Sequence, residues 1–281
     1  MLKPTRSRKG TLRRYWADPV PRCAINLEIA DEAPLIRAIK KLARKHPRWG
    51  YRRIHARLEK KGWTVNLKRV HRLWVELGLR RPVRRRKGCK RGPKPGTSAN
   101  SCTNKPARFK NDVWTYDFVA DRTVAGRTLK WLTLVDEYTR ECLTLHVEES
   151  ISGADVRRVL ARVVGWRGEP RRMRSDNGSE FICEALRRWL PRQGTESIPV
   201  APGSPWENGL GESFNSRFRD EFLEATEFED APGAKEKGEW FRREYNRVRP
   251  HSSLGYKTPK EFVGGCDRGM HDQPPEEDKN I

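Results

Sequence analysis

The stretch VWTYDFVADRTVAGRTLKWLTLVDEYTRECLTLHV, residues 113–147, decides the fold. It holds three runs rich in Val, Leu, Trp, Tyr and Thr, at 113–120, 128–135 and 142–147, each set off by turn residues. Runs of this kind read as three successive strands. In the first, Asp117 alternates onto one face with Val113, Thr115 and Val119. A carboxylate among apolar and aromatic neighbours is costly unless it is paired or binds a metal.

Downstream the period changes to that of alternating helices and strands. Ser152 caps a helix with Asp155 at its third position, burying Val156, Leu160 and Val163. Residues 171–174 suit a short strand; Phe181, Ile182, Ala185, Leu186, Trp189 and Leu190 then form a helical stripe. A short strand near 195–198 and a loop at 199–205 precede a last helix. There Ser204 is the cap, Pro205 takes the first position and Glu207 completes a capping box. Trp206, Leu210, Phe214, Phe218 and Phe222 make its buried stripe, while Glu212 shares a polar face with Asn208, Asn215 and Arg219. Three strands, helix, strand, helix, strand, helix is an α/β order with a mixed five-stranded sheet.

Upstream, the 281-residue chain carries a formal charge of +22, distributed unevenly. Residues 1–110 hold 33 Lys+Arg against 6 Asp+Glu, so the remainder is mildly acidic. A phosphate backbone is the polyanion such a segment meets best, since Lys and Arg release condensed counterions. A solubilising tail or a membrane anchor fits less well, because the basic residues are interleaved with Trp, Tyr and helical periodicity. The spacing predicts helices over 33–45 and 52–60 and, capped by Asn66, over 67–77. Two short helices around the Gly62 turn read as a helix-turn-helix, with a small basic bundle as the alternative. The first would present Lys68, Arg69 and Arg72 to DNA, with Arg52 and Arg53 beside them. The run containing Arg84, Arg85 and Arg86 is a basic linker able to track phosphates.

The expected division is a poorly ordered basic N-terminus (1–32), a helix-turn-helix domain (33–80), a basic linker (81–110), a core (111–225) and a C-terminal helix and tail (226–281). No apolar stretch suits a membrane span or a signal peptide, which places the protein in the cytoplasm. The six cysteines lack zinc or disulfide spacing and read as reduced thiols.

Cutting and joining phosphodiesters needs an activated oxygen nucleophile and a stabilised leaving 3′ oxygen, which two divalent ions supply together. Hard ions such as Mg²⁺ prefer carboxylates and water. Asp117, Asp176 and Glu212 are the candidate ligands. Alone, Asp176 reads more often as a turn or cap, and Glu212 as an exposed helix residue. Together, on a strand, after a strand and on a polar helix face, they read as a metal site.

The motifs Trp114-x-x-Asp117, Ser175-Asp176-Asn177-Gly178-x-Glu180-Phe181 and Pro202-Gly203-Ser204-Pro205-x-Glu207-Asn208-Gly209-x-x-Glu212-Ser213-Phe214-Asn215 resemble the retroviral-integrase-type (DDE) core. Between Asp176 and Glu212 lie 35 residues, the interval typical of that family. The run Tyr245-Asn246-x-x-Arg249-Pro250-His251-x-x-Leu254-Gly255-Tyr256-x-Thr258-Pro259 is similar to the end of bacterial insertion-sequence transposases of the IS-three family, second-frame (OrfB) type. His46-Pro47-x-x-Gly50-Tyr51-Arg52-Arg53-Ile54 is similar to that group's helix-turn-helix.

The resemblance implies a ribonuclease-H-like fold and a triad of Asp117, Asp176 and Glu212 holding two Mg²⁺ or Mn²⁺ ions. It implies strand cleavage and 3′-hydroxyl transfer on element ends and target DNA, by a homo-oligomer in the bacterial nucleoid. Asn177, Asn208, Asn215 and Arg219 are expected near DNA; Asp136, Glu137, Arg249 and His251 are expected to be structural. Family members are often fused to an upstream-frame product with a leucine zipper, a pattern that residues 1–30 do not carry. Two other readings remain: a non-catalytic DNA-binding regulator that keeps an inert core, and a generic ribonuclease-H-like nuclease.

Overall fold

A computed structural model describes residues 32–80, 105–175, 184–200 and 208–267. Three helices open it: α1 (Glu32–Lys45), α2 (Tyr51–Glu59) and α3 (Leu67–Glu76). Apolar residues at helical spacing give them one cluster, with Leu35, Ile39 and Leu42 of α1 against Ile54, Leu58, Val70, Leu73 and Trp74. Gly62 turns the chain between α2 and α3 in left-handed backbone (φ 84°). The Asn66 side chain caps α3 by accepting from the Lys68 N–H at 2.8 Å.

The core comprises β1 (Val113–Arg122), β2 (Thr128–Asp136), β3 (Cys142–Glu148), α4 (Gly153–Arg167), β4 (Arg172–Ser175), α5 (Glu184–Arg192), β5 (Glu196–Pro199) and α6 (Gly209–Glu221), followed by α7 (Ala231–Arg247) and α8 (Pro259–Cys266). The sheet order is β3-β2-β1-β4-β5. β1–β2 and β2–β3 pair antiparallel, and β4 joins β1 and β5 in parallel. This is the ribonuclease-H-like arrangement.

Strand alternation sorts the sheet residues into two layers. Trp114, Tyr116, Leu132 and Leu134 face α4 and α5; Val119, Leu129, Trp131 and Val135 face α6 and α7. Asp117 and Thr115 alternate with Trp114 and Tyr116, so they lie under α6. On that face Phe214, Phe218 and Phe222 recur every four residues as a buried stripe. α7 approaches so closely that a Cβ on Gly238 would come within 2.6 Å of the Trp131 ring. Asn246 of α7 grips the edge of β3, accepting from the Cys142 N–H (2.9 Å) and donating to the Cys142 carbonyl (2.8 Å).

The described strands and helices fall within a few residues of the sequence pattern, and Ser152 with Asp155 forms the expected capping box on α4; Phe181 and Ile182 of the expected helical stripe before α5 lie outside the described residues. α6 runs from Gly209 with Asn208 in the cap position; the expected start at Pro205 under a Ser204 cap, with Glu207 completing the box, falls on residues 201–207, outside the described residues. The Asn208 side chain makes no cap hydrogen bond because it is committed to the sheet.

Candidate active site

Asp117 sits in mid-β1, half-buried, opposite Thr133 of β2. Its Oδ1 accepts from the Phe118 N–H and its Oδ2 from Asn215 Nδ2 of α6, both at 2.7 Å. Asn215 Oδ1 accepts from the Thr133 hydroxyl at 3.1 Å, and the same hydroxyl lies 3.1 Å from the Asp117 carbonyl. Only this orientation of the amide serves a carboxylate and a hydroxyl together. Two turns earlier, Asn208 Oδ1 accepts from the Thr115 hydroxyl at 2.7 Å. Gly211 permits that contact, since a Cβ there would stand 2.6 Å from Asn208 Oδ1. Both asparagines are buried, at 5% and 8% exposure. They fix the height and rotation of α6 over β1.

Glu212 is exposed in the first turn of α6, three residues before Asn215 and four after Asn208. The seam therefore carries Asp117 and Glu212 on the two elements that Asn215 ties together. β4 ends at Ser175, paired with Tyr116, the residue before Asp117. Asp176 and Asn177 come next in the chain and lie outside the described residues.

The neighbouring acids are structural. Asp136, fully buried, accepts from the N–H groups of Asn111, Tyr138 and Thr139. Burial pushes its carboxyl up, and those donors oppose the shift. Glu137 meets Arg174 at 2.8 Å with neither side chain exposed. Arg249 forms two hydrogen bonds to Glu221 (2.7 and 2.5 Å), locking the segment after α7 to α6.

The residues expected at DNA separate. Arg52, Lys68 and Arg219 are exposed. Arg69 and Arg72 share the Glu32 carboxylate of α1, Arg69 at 3.0 Å. Arg53 turns inward to Glu221 (3.3 Å). Asn208 and Asn215 face the sheet, and Arg84, Arg85 and Arg86 lie outside the described residues. Sequence reasoning missed Asn215 as the partner of Asp117. The available signal was Thr133, the polar residue on the face of β2 that Leu129, Trp131 and Val135 otherwise make apolar.

As a donor set, Asp117 and Glu212 offer only hard carboxylate oxygens, which suits Mg²⁺ or Mn²⁺ and not a soft or imidazole-bound metal. Among the described residues no three His, Cys, Asp or Glu side chains are grouped to hold a metal; the sequence triad includes Asp176, which is not among them. No described helix is long and apolar enough to cross a membrane.

A sheet of this order with an acid on β1 and another on the helix after β5 defines an integrase-type core. Integrase core domain families match residues 107–205 and 193–259, and an HTH-like domain family matches residues 30–87. An insertion element IS476 protein of Xanthomonas euvesicatoria is 41% identical over 79% of this chain, which spans 62% of that protein's length. An insertion element IS407 protein of Burkholderia multivorans is 39% identical over 79% of this chain and 78% of its own length. The transposase for insertion sequence element IS904 of Lactococcus lactis is 28% identical over 80% of this chain and 91% of its own. The chain belongs to the insertion-sequence transposases with an integrase-type core, in the OrfB-type group of the IS-three family.

Proposed function

We propose that this chain cuts DNA at the ends of an insertion sequence and transfers the 3′ hydroxyl to a target strand, with Asp117, Asp176 and Glu212 as its catalytic acids. The observation that carries the reading is the α6–β1 seam. There Asn215 holds one oxygen of Asp117, one helical turn from Glu212. The three acids would hold two divalent ions, Mg²⁺ or Mn²⁺. When bound, such ions activate the attacking oxygen and stabilise the leaving one.

The chain's own residues orient and grip. Asn215 and the Phe118 N–H fix the rotation of the Asp117 carboxylate while leaving its charge intact. Glu212, exposed at the helix start, faces solvent from which DNA approaches. The basic first 110 residues supply the sequence-independent hold, with Arg52 and Lys68 on the helical unit. The partners in this reading are element ends, target DNA, further copies of the chain and an upstream-frame product, in the bacterial cytoplasm at the nucleoid.

The test is an oligonucleotide assay with element ends and a target duplex, in Mg²⁺ or Mn²⁺. Joined products are expected, and Asp117→Asn or Glu212→Gln abolishes them. Cleavage without joining would mark a nuclease. Binding without products in either metal would mark a non-catalytic regulator. Either result overturns the proposal.

A further inference from the structure

A groove of about 310 Å³ lies where residues 105–108 run past the start of β4 and β5, at the sheet edge. Lys105, Pro106, Arg108, Arg171, Arg172 and Glu196 line it. Its backbone is fixed on both sides. Arg172 grips the buried carboxylate of Asp112 with two hydrogen bonds of 2.8 Å and reaches the Pro106 carbonyl at 3.3 Å. Arg174 donates to the Lys105 carbonyl at 2.9 Å, and the Arg108 N–H donates to Asp112 at 2.8 Å. On the strand side, the Arg171 N–H donates to the Asn111 carbonyl and the Arg171 carbonyl accepts from the Glu196 N–H, both at 2.9 Å.

Two of the four cations are engaged within the groove wall, Arg172 by Asp112 and Lys105 by Glu196 at 3.2 Å. The other two are available. Arg108 and Arg171 are exposed, and their guanidiniums meet no carboxylate among the described residues. The planar fork of arginine meets phosphate oxygens in pairs. Because the backbone beneath each fork is already pinned, only the side chains remain to be ordered when an anion arrives. The positive charge continues upstream in the sequence: residues 81–104 hold eight Lys and Arg and no Asp or Glu. A polyanion gains along the whole of such a run, whereas a small anion uses one point of it.

We infer that this groove carries the backbone of a DNA duplex, through phosphates paired with Arg108 and Arg171, at a place distinct from the acids. The inference rests on the reading of the chain as a DNA strand-joining enzyme. β4 enters the sheet at Arg172, in the groove, and ends at Ser175, paired with the residue before Asp117. The two ends of that strand are about 10 Å apart. DNA held here is therefore gripped away from the Asp117–Glu212 seam, at the other end of the same strand. Contacts of this kind reach phosphates and not base edges, so they add hold without sequence preference.

The test uses the full chain in EDTA, so that no strand chemistry intervenes, and follows duplex binding across a salt series. Arg108→Gln and Arg171→Gln each remove one available cation from the groove. Lys235→Gln removes an exposed cation from α7, which packs on β3 at the opposite sheet edge. Each groove variant is expected to lower the slope of log affinity against log salt by about one, on element-end and unrelated duplexes alike. That is about a tenfold smaller gain in affinity between 1 M and 0.1 M salt. Lys235→Gln should keep the parental slope. A parental slope in either groove variant overturns the inference. A Lys235→Gln slope lowered as far as theirs also overturns it, since the loss would then report net charge alone. So does a loss confined to element-end duplexes, which would mark base reading. A Tm rise in inorganic phosphate that both groove variants lose, beside parental duplex slopes, would assign the groove to a free anion instead. A chain that shows the expected salt signature but never joins strands loses the proposed function and keeps the DNA groove.

Discussion

On its sheet side, α6 is held by neutral groups: the amides of Asn208 and Asn215 against the hydroxyls of Thr115 and Thr133. On the side toward α2 and the segment after α7, it is held by ions, with Glu221 gathering Arg249 and Arg53. Under the proposed function Asp117 is a metal ligand, and the Asn215 carboxamide orients that carboxylate without itself bringing a charge. Farther along α6, ion pairs lock the helix to its neighbours. The same helix therefore carries a polar alignment device on one side and an ionic clamp on the other.

Breaking the clamp should have the largest effect on folding. Glu221→Ala strands Arg249, only 3% exposed, and removes the partner of Arg53. Uncompensated buried charge costs about 3–5 kcal/mol, read as a fall in the denaturation midpoint. Lys45→Ala, which removes an exposed pair to Glu244 between α1 and α7, should cost less than about 1 kcal/mol.

Breaking the alignment device should act on activity more than on stability. Asn215→Ala is expected to lower joining about 10- to 100-fold, as for the outer partners of metal ligands. Its folding cost is about 1–3 kcal/mol, for the polar groups left unpaired. Equal joining by Asn215→Ala and the parent would remove Asn215 from the site.

The smallest effect is a pH dependence on the ionic side. Folded His251 stays neutral down to about 2, while the unfolded residue protonates near 6.5. Its contribution to stability is therefore complete above about 6.5 and lost as pH falls from there toward 2. Between pH 7 and 5 the Tm of the parent should fall more steeply than that of His251→Asn. Parallel curves would show that the imidazole is not held neutral.

Much of this organisation is legible in the sequence. The alternation around Asp117 and the phenylalanine stripe of α6 report burial through local period alone, so β1 and the buried face of α6 emerge directly. The Ser152–Asp155 box is equally local. The tie from Asn208 to Thr115, 93 residues away in the chain, is not legible, because nothing local to Asn208 marks it. Arg53, Arg69 and Arg72 look alike as basic helix residues. Glu221 and Glu32, distant in sequence, draw the first inward and neutralise part of the other two. Periodicity finds faces, and long-range polar partners decide what those faces do.

The central claim is that Asp117 and Glu212 act as one site because α6 is pinned to β1. It is tested most directly by the rate of strand joining in Asp117→Asn, Glu212→Gln and the double variant, at saturating Mg²⁺. Residues acting as a unit are strongly non-additive. Each single substitution should lower joining by about 10³-fold or more, and the double by no more than the worse single. Losses that multiply, or a single variant that retains parental joining, would contradict the account.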